Sequence, residues 1–510
     1  MINSTRQIYI FLEKNSIIMS LKKKILKEAL TFDDVLLVPS YSSIHPSEVS
    51  LKTCLTFDIT LNIPILSAAM DTVTESSLAI SIAREGGIGI IHKNMNIKNQ
   101  LEEVYRVKRS DSGMIDDPIT LSRNSTLRHA QYLMKRYHIS GLPVIEKDNF
   151  LIGIITRRDI KYRLDLDSLV EDVMTKEKLI TSKRSITLEE AKKILLRERI
   201  EKLPIVDDNK KLVGLITIRD IDNLIEYPNA CKDSKGRLRV GASVGIDKNT
   251  LDRVESLVKI GVDFIAIDSA HGHSSSILKM IKLIRKSYPD IALLAGNIVT
   301  MKAAKDLIDA GATILKVGIG SGSICTTRVI AGVGMPQITA INDVYEYAKT
   351  RNVNVISDGG IRYSGDVVKA IAAGASSVMI GSLFAGTDEA PGEEIIFQGR
   401  KFKTYVGMGS LVAMKRGSKD RYFQLNKKFV PEGIEAKVPY KGKMKDVLYQ
   451  ICGGLRSGMG YCGVSTIKEL IKTGKFVRIT NSGLKENHPH SVSITKESPN
   501  YFNYSRKNNN

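Results

Sequence analysis

Short apolar runs recur along the chain at the spacing a parallel sheet would produce. Ile63-Pro64-Ile65-Leu66-Ser67 and Ile88-Gly89-Ile90-Ile91-His92 come first. After a long interval follow residues 238–244, Phe264-Ile265-Ala266-Ile267-Asp268, residues 291–295, Ile314-Leu315-Lys316-Val317, Val353-Asn354-Val355-Ile356-Ser357 and Ser377-Val378-Met379-Ile380. Apolar residues at consecutive rather than alternate positions suit strands buried on both faces. Stretches of helical character separate them, such as 301–310 and 365–373. Eight strand–helix units predict an α/β chain closed into a (β/α)8 TIM barrel rather than an open sheet.

The interval after the second run holds an internal repeat. Residues 127–130 match 188–191, Leu142-Pro143 matches Leu203-Pro204, and Arg158-Asp159-Ile160 matches Arg219-Asp220-Ile221, all at one offset of 61. Each copy reads as a short strand, an amphipathic helix and two apolar strands around Gly153 or Gly214. A Thr-x-Arg-Asp signal then opens another helix. The segments Leu142-Pro143-Val144 with Gly153-Ile154-Ile155-Thr156-Arg157-Arg158-Asp159, and their counterparts ending at Asp220, resemble a tandem pair of CBS domains. That resemblance implies a cleft able to take adenine or guanine nucleotides, with Asp159 and Asp220 as ribose contacts. Simple helix capping by both aspartates is the other reading. The expected organisation is an N-terminal extension (1–26, partly disordered), a first barrel part (27–111), the inserted pair (112–226, as about 112–172 and 173–226), and a second barrel part (227–510).

Composition narrows the classes. Across 510 residues, 43% apolar and 25% charged is ordinary for a globular chain. No apolar run reaches the roughly 18 residues needed to span a bilayer. The start Ile8-Tyr9-Ile10-Phe11-Leu12 is cut short by Glu13 and Lys14, without a small-residue cleavage site, so no secretion is expected. Five cysteines disfavour a disulfide scaffold and fit a reducing cytoplasm. The net charge of +20 comes from dispersed lysines with no Trp and no arginine-rich block. It favours anionic small molecules, and nucleic acid is not an expected partner.

Polar residues gather at the carboxyl ends of the runs, where a barrel builds its site. These are Met70-Asp71, His92, Asp268-Ser269, Gly296-Asn297, Gly318-Ile319-Gly320, Asp358-Gly359-Gly360 and Gly381-Ser382. Glycines after the seventh and eighth strands suit a phosphate, whose oxygens backbone N–H groups can approach closely. The loop Gly318-Ile319-Gly320-Ser321-Gly322-Ser323-Ile324-Cys325-Thr326-Thr327-Arg328 places a cysteine beside the site. On these residues alone, a buried inert thiol is the favoured reading. Its barrel position and the phosphate loops favour a nucleophile. Gly458-Met459-Gly460-Tyr461-Cys462-Gly463 matches a dinucleotide-loop pattern but opens no βαβ unit, so it is taken as a chance match. His271-Gly272-His273 lacks the companions of a metal site.

Taken together, Leu30-Thr31-Phe32-Asp33-Asp34-Val35-Leu36-Leu37, Ser67-Ala68-Ala69-Met70-Asp71-Thr72-Val73-Thr74-Glu75, the cysteine loop, Ser357-Asp358-Gly359-Gly360-Ile361 and Tyr405-Val406-Gly407-Met408-Gly409-Ser410 resemble the bacterial inosine-5′-monophosphate (IMP) dehydrogenase family. The ending Thr495-Lys496-Glu497-Ser498-Pro499-Asn500-Tyr501 fits it too, and the resemblance spans about 27–502. It implies NAD-dependent oxidation of IMP to xanthosine monophosphate, the committed step toward guanine nucleotides. Cys325 would attack C2 of the purine. Asp358 would hold the ribose, and Ser323, Gly360, Gly381 and Ser382 the phosphate. Met70, Asn297, Tyr405, Gly407, Met408, Gly409 and Glu432 would surround the base. Asp268, Ser269, Ala270, Gly318 and Gly320 would contact NAD, with Tyr461 from a neighbouring subunit.

A flap over about 395–440 would carry Arg421 and Tyr422 into the vacated dinucleotide site. Arg421 would serve as the base for water, with Thr327 and Glu432 assisting. Potassium would bind carbonyls of Gly320, Gly322 and Cys325, completed by Glu486, Asn487 and His488 of a neighbour. The family implies a homotetramer or octamer, with ATP or GTP at the inserted pair. Residues before Met19 fit no family motif, so Met19-Ser20-Leu21 is an alternative start, and 505–510 is expected as a disordered tail. Two competing readings remain: guanosine monophosphate (GMP) reductase, which normally lacks the insertion and the Arg-Tyr flap, and a catalytically inactive nucleotide sensor.

Overall fold

The computed structural model describes residues 24–111, 113–137, 139–424 and 428–501. The expected start at Met19, most of the N-terminal extension and the polar tail lie outside them. Eight parallel strands close a barrel: β1 (Ile65–Ser67), β2 (Ile88–Ile91), β3 (Val240–Val244), β4 (Phe264–Asp268), β5 (Ala292–Ile298), β6 (Ile314–Val317), β7 (Asn354–Asp358) and β8 (Ser377–Ile380). These are the eight apolar runs of the sequence, shifted by a few residues at most.

Two cores share seven of the eight strands by parity. Leu66, Ile90, Phe264, Leu294, Ile314, Ile356 and Met379 fill the barrel interior. Their neighbours Ile65, Ile91, Ile265, Leu293, Leu315, Val355 and Val378 face the helices outside. The period-2 alternation is hidden in the sequence because both faces are apolar. Helices Met301–Ala310 and Ser364–Ala372 are among those on the outer layer.

The repeats fold between β2 and β3. Each makes a three-stranded sheet, Leu121–Ser122 with Gly141–Ile145 and Leu151–Thr156, and Ser182–Lys183 with Lys202–Val206 and Leu212–Thr217. Each has its own apolar core, around Leu142 and Ile155 in one and Leu203 and Ile216 in the other. Leu151, Val206 and Leu212 join the copies. Asp111 clasps the junction with the barrel. It takes a bidentate pair from Arg84 (2.7 and 2.8 Å), the Asn223 amide (2.5 Å) and, at its carbonyl, the Lys232 ammonium (2.8 Å).

Beyond β8, Glu394–Phe397, Arg400–Val406 and Glu435–Pro439 form an antiparallel sheet. The expected flap is therefore strand-anchored at both flanks, and its inner turn carries Arg421. The glycines of the 458–463 pattern sit in or just past helix Met444–Tyr461, where Gly458 packs against Val368. They serve helix packing, not a phosphate loop. Among the described residues, no helix is long and apolar enough to cross a membrane.

Candidate active site

The carboxyl ends of β4, β5 and β7 bring three polar side chains onto one buried ammonium, that of Lys316 on β6. Lys316, in the middle of the apolar β6 and only 3% exposed, donates to Asp268 (2.7 Å), the Asn297 carbonyl oxygen (2.5 Å) and Asp358 (3.0 Å). Asn297 in turn donates to the Gly318 carbonyl (2.6 Å) and to Asp358 (2.8 Å). A lysine inside a barrel strand is costly unless paired and hydrogen-bonded. Here two carboxylates and an amide satisfy it. Sequence reasoning missed Lys316, although a lone lysine in an apolar run was the available signal.

Arg421 completes this cluster from the inner turn of the flap. Its guanidinium pairs with Asp268, and its carbonyl accepts the Ala270 N–H (3.0 Å). Burial alone would raise the Asp268 carboxyl, but Arg421 and Lys316 more than reverse this and hold it well below the usual carboxylate range. Burial would likewise lower the guanidinium, yet Asp268 pushes it above its ordinary value. Arg421 is thus locked as a cation in this arrangement, the opposite of what a base needs. Burial pushes the Tyr422 hydroxyl up to about 12. Its ring lies flush on Gly409, where a Cβ would sit 2.9 Å from the hydroxyl oxygen.

The cysteine loop meets the flap edge to edge. Thr326 N–H donates to the Glu432 carbonyl (2.9 Å), Ile434 N–H to Ile324 (3.1 Å), and Glu432 N–H to Gly409 (2.9 Å). Residues 432–434 are thereby held between the Cys325 loop and the 407–409 segment. Cys325 Sγ lies 3.2 Å from Thr327 Oγ1. Tyr405 is buried, its hydroxyl pushed up by desolvation, and it contacts Met70 Sδ (3.8 Å) and the Gly381 backbone. A cavity of about 120 Å³ remains, lined among others by Met70, Asp358, Cys325, Arg421, Tyr422 and Glu432.

Of the residues singled out in the sequence, Asn297, Gly318, Gly320, Gly322, Tyr405, Gly407, Met408 and Gly409 also line this cavity. Ser269 and Ala270 hydrogen-bond beside it, Ser269 N–H to Gly296 O (3.0 Å). Ser323 is exposed on the same loop, Gly360 lies against Phe32, and Ser382 begins a short helix. Four residues are elsewhere on this subunit. Tyr461 is 72% exposed at the end of its helix; Glu486 ends a separate short helix, and Asn487 and His488 follow it, His488 bonding Tyr501 (2.9 Å). His273 has a carboxylate companion after all, Asp306 at 2.8 Å, but no cluster of three or more metal-ligating side chains exists among the described residues. Burial pushes the Cys231 and Cys452 thiols up to about 12, which keeps them inert.

A second, larger cavity of about 980 Å³ lies between the barrel and the repeats. Asp220 borders it, 8% exposed, its carboxyl raised by burial. Asp159, its counterpart, only caps its helix, accepting the Thr156 N–H and hydroxyl (both 2.7 Å).

Residues 29–490 match the family model described as IMP dehydrogenase / GMP reductase domain. The chain is 57% identical over 481 residues to an inosine-5′-monophosphate dehydrogenase of Halalkalibacterium halodurans, covering 94% of this chain and 99% of that one. It is 56% identical to the enzyme of that name from Bacillus subtilis, with the same coverage. Among solved structures, a GMP reductase variant from Trypanosoma brucei with guanosine 5′-monophosphate superposes with a TM-score of 0.85 at 40% identity, covering 92% of this chain and all of that one. That coverage removes the inserted repeats as a mark against a reductase.

Proposed function

We propose, from the premise that the chain belongs to the IMP dehydrogenase / GMP reductase family, that it oxidises IMP to xanthosine 5′-monophosphate with NAD, the committed step toward guanine nucleotides. The observation that carries this reading is one small cavity shared by Cys325, Asp358, Asp268 and the Arg421–Tyr422 turn. NAD supplies a hydride acceptor when bound. The Cys325 thiolate adds to C2 of the purine, and the hydrogen on C2 departs with its electron pair. Water then attacks C2 and the C–S bond breaks, returning the thiol. The sum is IMP, NAD and water giving xanthosine monophosphate, NADH and a proton.

The chain's own groups divide this work. Asp358, held by Lys316 and Asn297, accepts the ribose hydroxyls of the substrate. Ser323, Gly360, Gly381 and Ser382 take its phosphate; Met70, Tyr405, Gly407, Met408 and Gly409 enclose the base. Asp268 is a buried acceptor suited to ribose hydroxyls of NAD, which then replace Arg421 there. Ser269, Ala270 and Gly318 border that place, and Tyr461 of another copy would close it. For the water step Thr327, whose hydroxyl lies 3.2 Å from Cys325 Sγ, and Tyr422, which lines the same cavity, would act, with Glu432 assisting through Thr327. Arg421 can accept a proton only after its pairing with Asp268 is loosened, so its first role is to fill the dinucleotide site and exclude solvent.

Carbonyls of Gly320, Gly322 and Cys325 are hard oxygen donors that suit potassium better than a transition metal. The Gly322 carbonyl already accepts the Cys325 N–H (3.1 Å) and keeps one lone pair. Glu486, Asn487 and His488 would come from a neighbour, which requires an assembly of copies and fits a homotetramer or octamer; such an enzyme would work in the cytoplasm. ATP or GTP at the repeats would use Asp220 for ribose hydroxyls, with Lys202 and Arg219 near the phosphates; calorimetry without heat at millimolar nucleotide would overturn this.

GMP reductase is the second reading, favoured by the structural match to such an enzyme. The higher identity to the named dehydrogenases places it second. Purified protein with IMP, NAD and potassium should show a steady rise in nicotinamide absorbance. NADPH consumption with GMP, and no rise with IMP, would move the assignment.

A further inference from the structure

The turn Ser418–Tyr422 is held by a second buried ion pair, one that does not border the active-site cavity. The Asp420 carboxylate takes the ammonium of Lys93, which follows the end of β2, and also accepts the Arg421 N–H (2.9 Å). Both side chains are largely buried. The other Asp420 oxygen is buried without a hydrogen-bond partner and occupies a notch at Gly245, just past β3. A Cβ at Gly245 would coincide with that oxygen. Beside it, the Ser418 hydroxyl donates to the Met408 carbonyl (2.5 Å). Two segments of the barrel mouth therefore converge on the residue one step before Arg421, and a third holds Ser418 at the start of the same turn.

We infer that Asp420 is a positioning residue: clasped by Lys93 in the Gly245 notch, it fixes the turn that sets Arg421 and Tyr422 over Cys325. A buried pair of this kind adds little net stability but specifies one geometry, because removing either partner strands the other charge. The pair is poised to act on the water step, which needs the turn in place. Hydride departure, which needs the dinucleotide where Arg421 now sits, does not require it. This consequence rests on the dehydrogenase reading; the placement of the turn does not.

The test uses the full chain and its Asp420→Asn and Lys93→Met variants, with two readouts. In rapid mixing with IMP and NAD, both variants should keep the first-turnover NADH burst within about twofold of wild type. Their steady-state rate should fall about tenfold, and the double variant should be no slower than the worse single one. In the free protein, iodoacetamide should label Cys325, followed on its own peptide by mass spectrometry, about tenfold faster than in wild type. Unchanged labelling, or a burst lost in proportion to the steady rate, would overturn the assignment. Wild-type protein that makes no NADH would sink the dehydrogenase reading instead, and the labelling would still decide whether the pair holds the turn.

Discussion

The barrel mouth and the junction with the repeats each bury an aspartate, and the two are treated in opposite ways. Asp268 is 6% exposed and faces two cations, so its carboxyl is held down. Asp220 is 8% exposed with no salt bridge among the described residues, only the Thr217 hydroxyl at 2.5 Å, so burial pushes it up. The mouth is internally neutralised and nearly filled, whereas the junction keeps an open space of about 980 Å³ beside an unneutralised acid. Equal burial thus says nothing about charge; the partners decide it. A site that compensates itself is organised for chemistry, and one that does not is organised to be completed from outside.

The largest effect should come from emptying the mouth of its nucleophile. Cys325→Ala should reduce NADH formation by about 10⁴-fold while leaving the melting temperature unchanged; turnover above that level would show that the mouth works without a thiol. Next is Lys316→Met, which leaves Asp268 and Asp358 without their shared cation. Urea denaturation should show a loss of about 3 kcal/mol, and an unchanged midpoint would mean the mouth is not neutralised by this lysine. Tyr422→Phe keeps the ring on Gly409 but removes the hydroxyl. Steady turnover should slow about tenfold with the NADH burst retained.

The smallest effect separates the two aspartates by pH. Asp220 holds its proton more tightly folded than unfolded, so its penalty is absent below the unfolded carboxyl value and grows as pH rises through the folded one. Asp268 does the reverse: its contribution is present above the unfolded value and lost as pH falls. Asp220→Asn should therefore raise the melting temperature at neutral pH by about 2 °C and leave it unchanged near pH 3. A gain that is equal at both values would erase the contrast.

Much of the architecture was legible in the sequence. Doubly buried strands need unbroken apolar runs, and the 61-residue offset marks the repeats without any structure. The glycine-rich cysteine loop and the strand-end aspartates pointed to the mouth. Three things were not legible. Lys316 meets its partners across three strands, and nothing in its own run names them. The Lys93–Asp420 contact joins residues more than 300 positions apart. Asp159 and Asp220 share one motif, and only packing against the barrel makes one of them buried. The role of Arg421 as a base, which the family resemblance implies, also meets a partner that sequence could not supply, since Asp268 pushes the guanidinium above its ordinary value in this arrangement.

The clasp at Asp111 bears on how the chain reaches this state. The seam between β2 and β3 pairs Gly89 with Val240, about 150 residues apart, so closing the barrel first would mean closing a very long loop. The repeats have separate cores and can collapse locally. Once they have, Asp111 draws their entry and exit together through Asn223, and the span still free shrinks to roughly 40 residues. On the logarithmic cost of loop closure that is about two halvings, or ~1 kcal/mol. The order of assembly follows: the insertion is the early folder, and the ring is the part that waits for it.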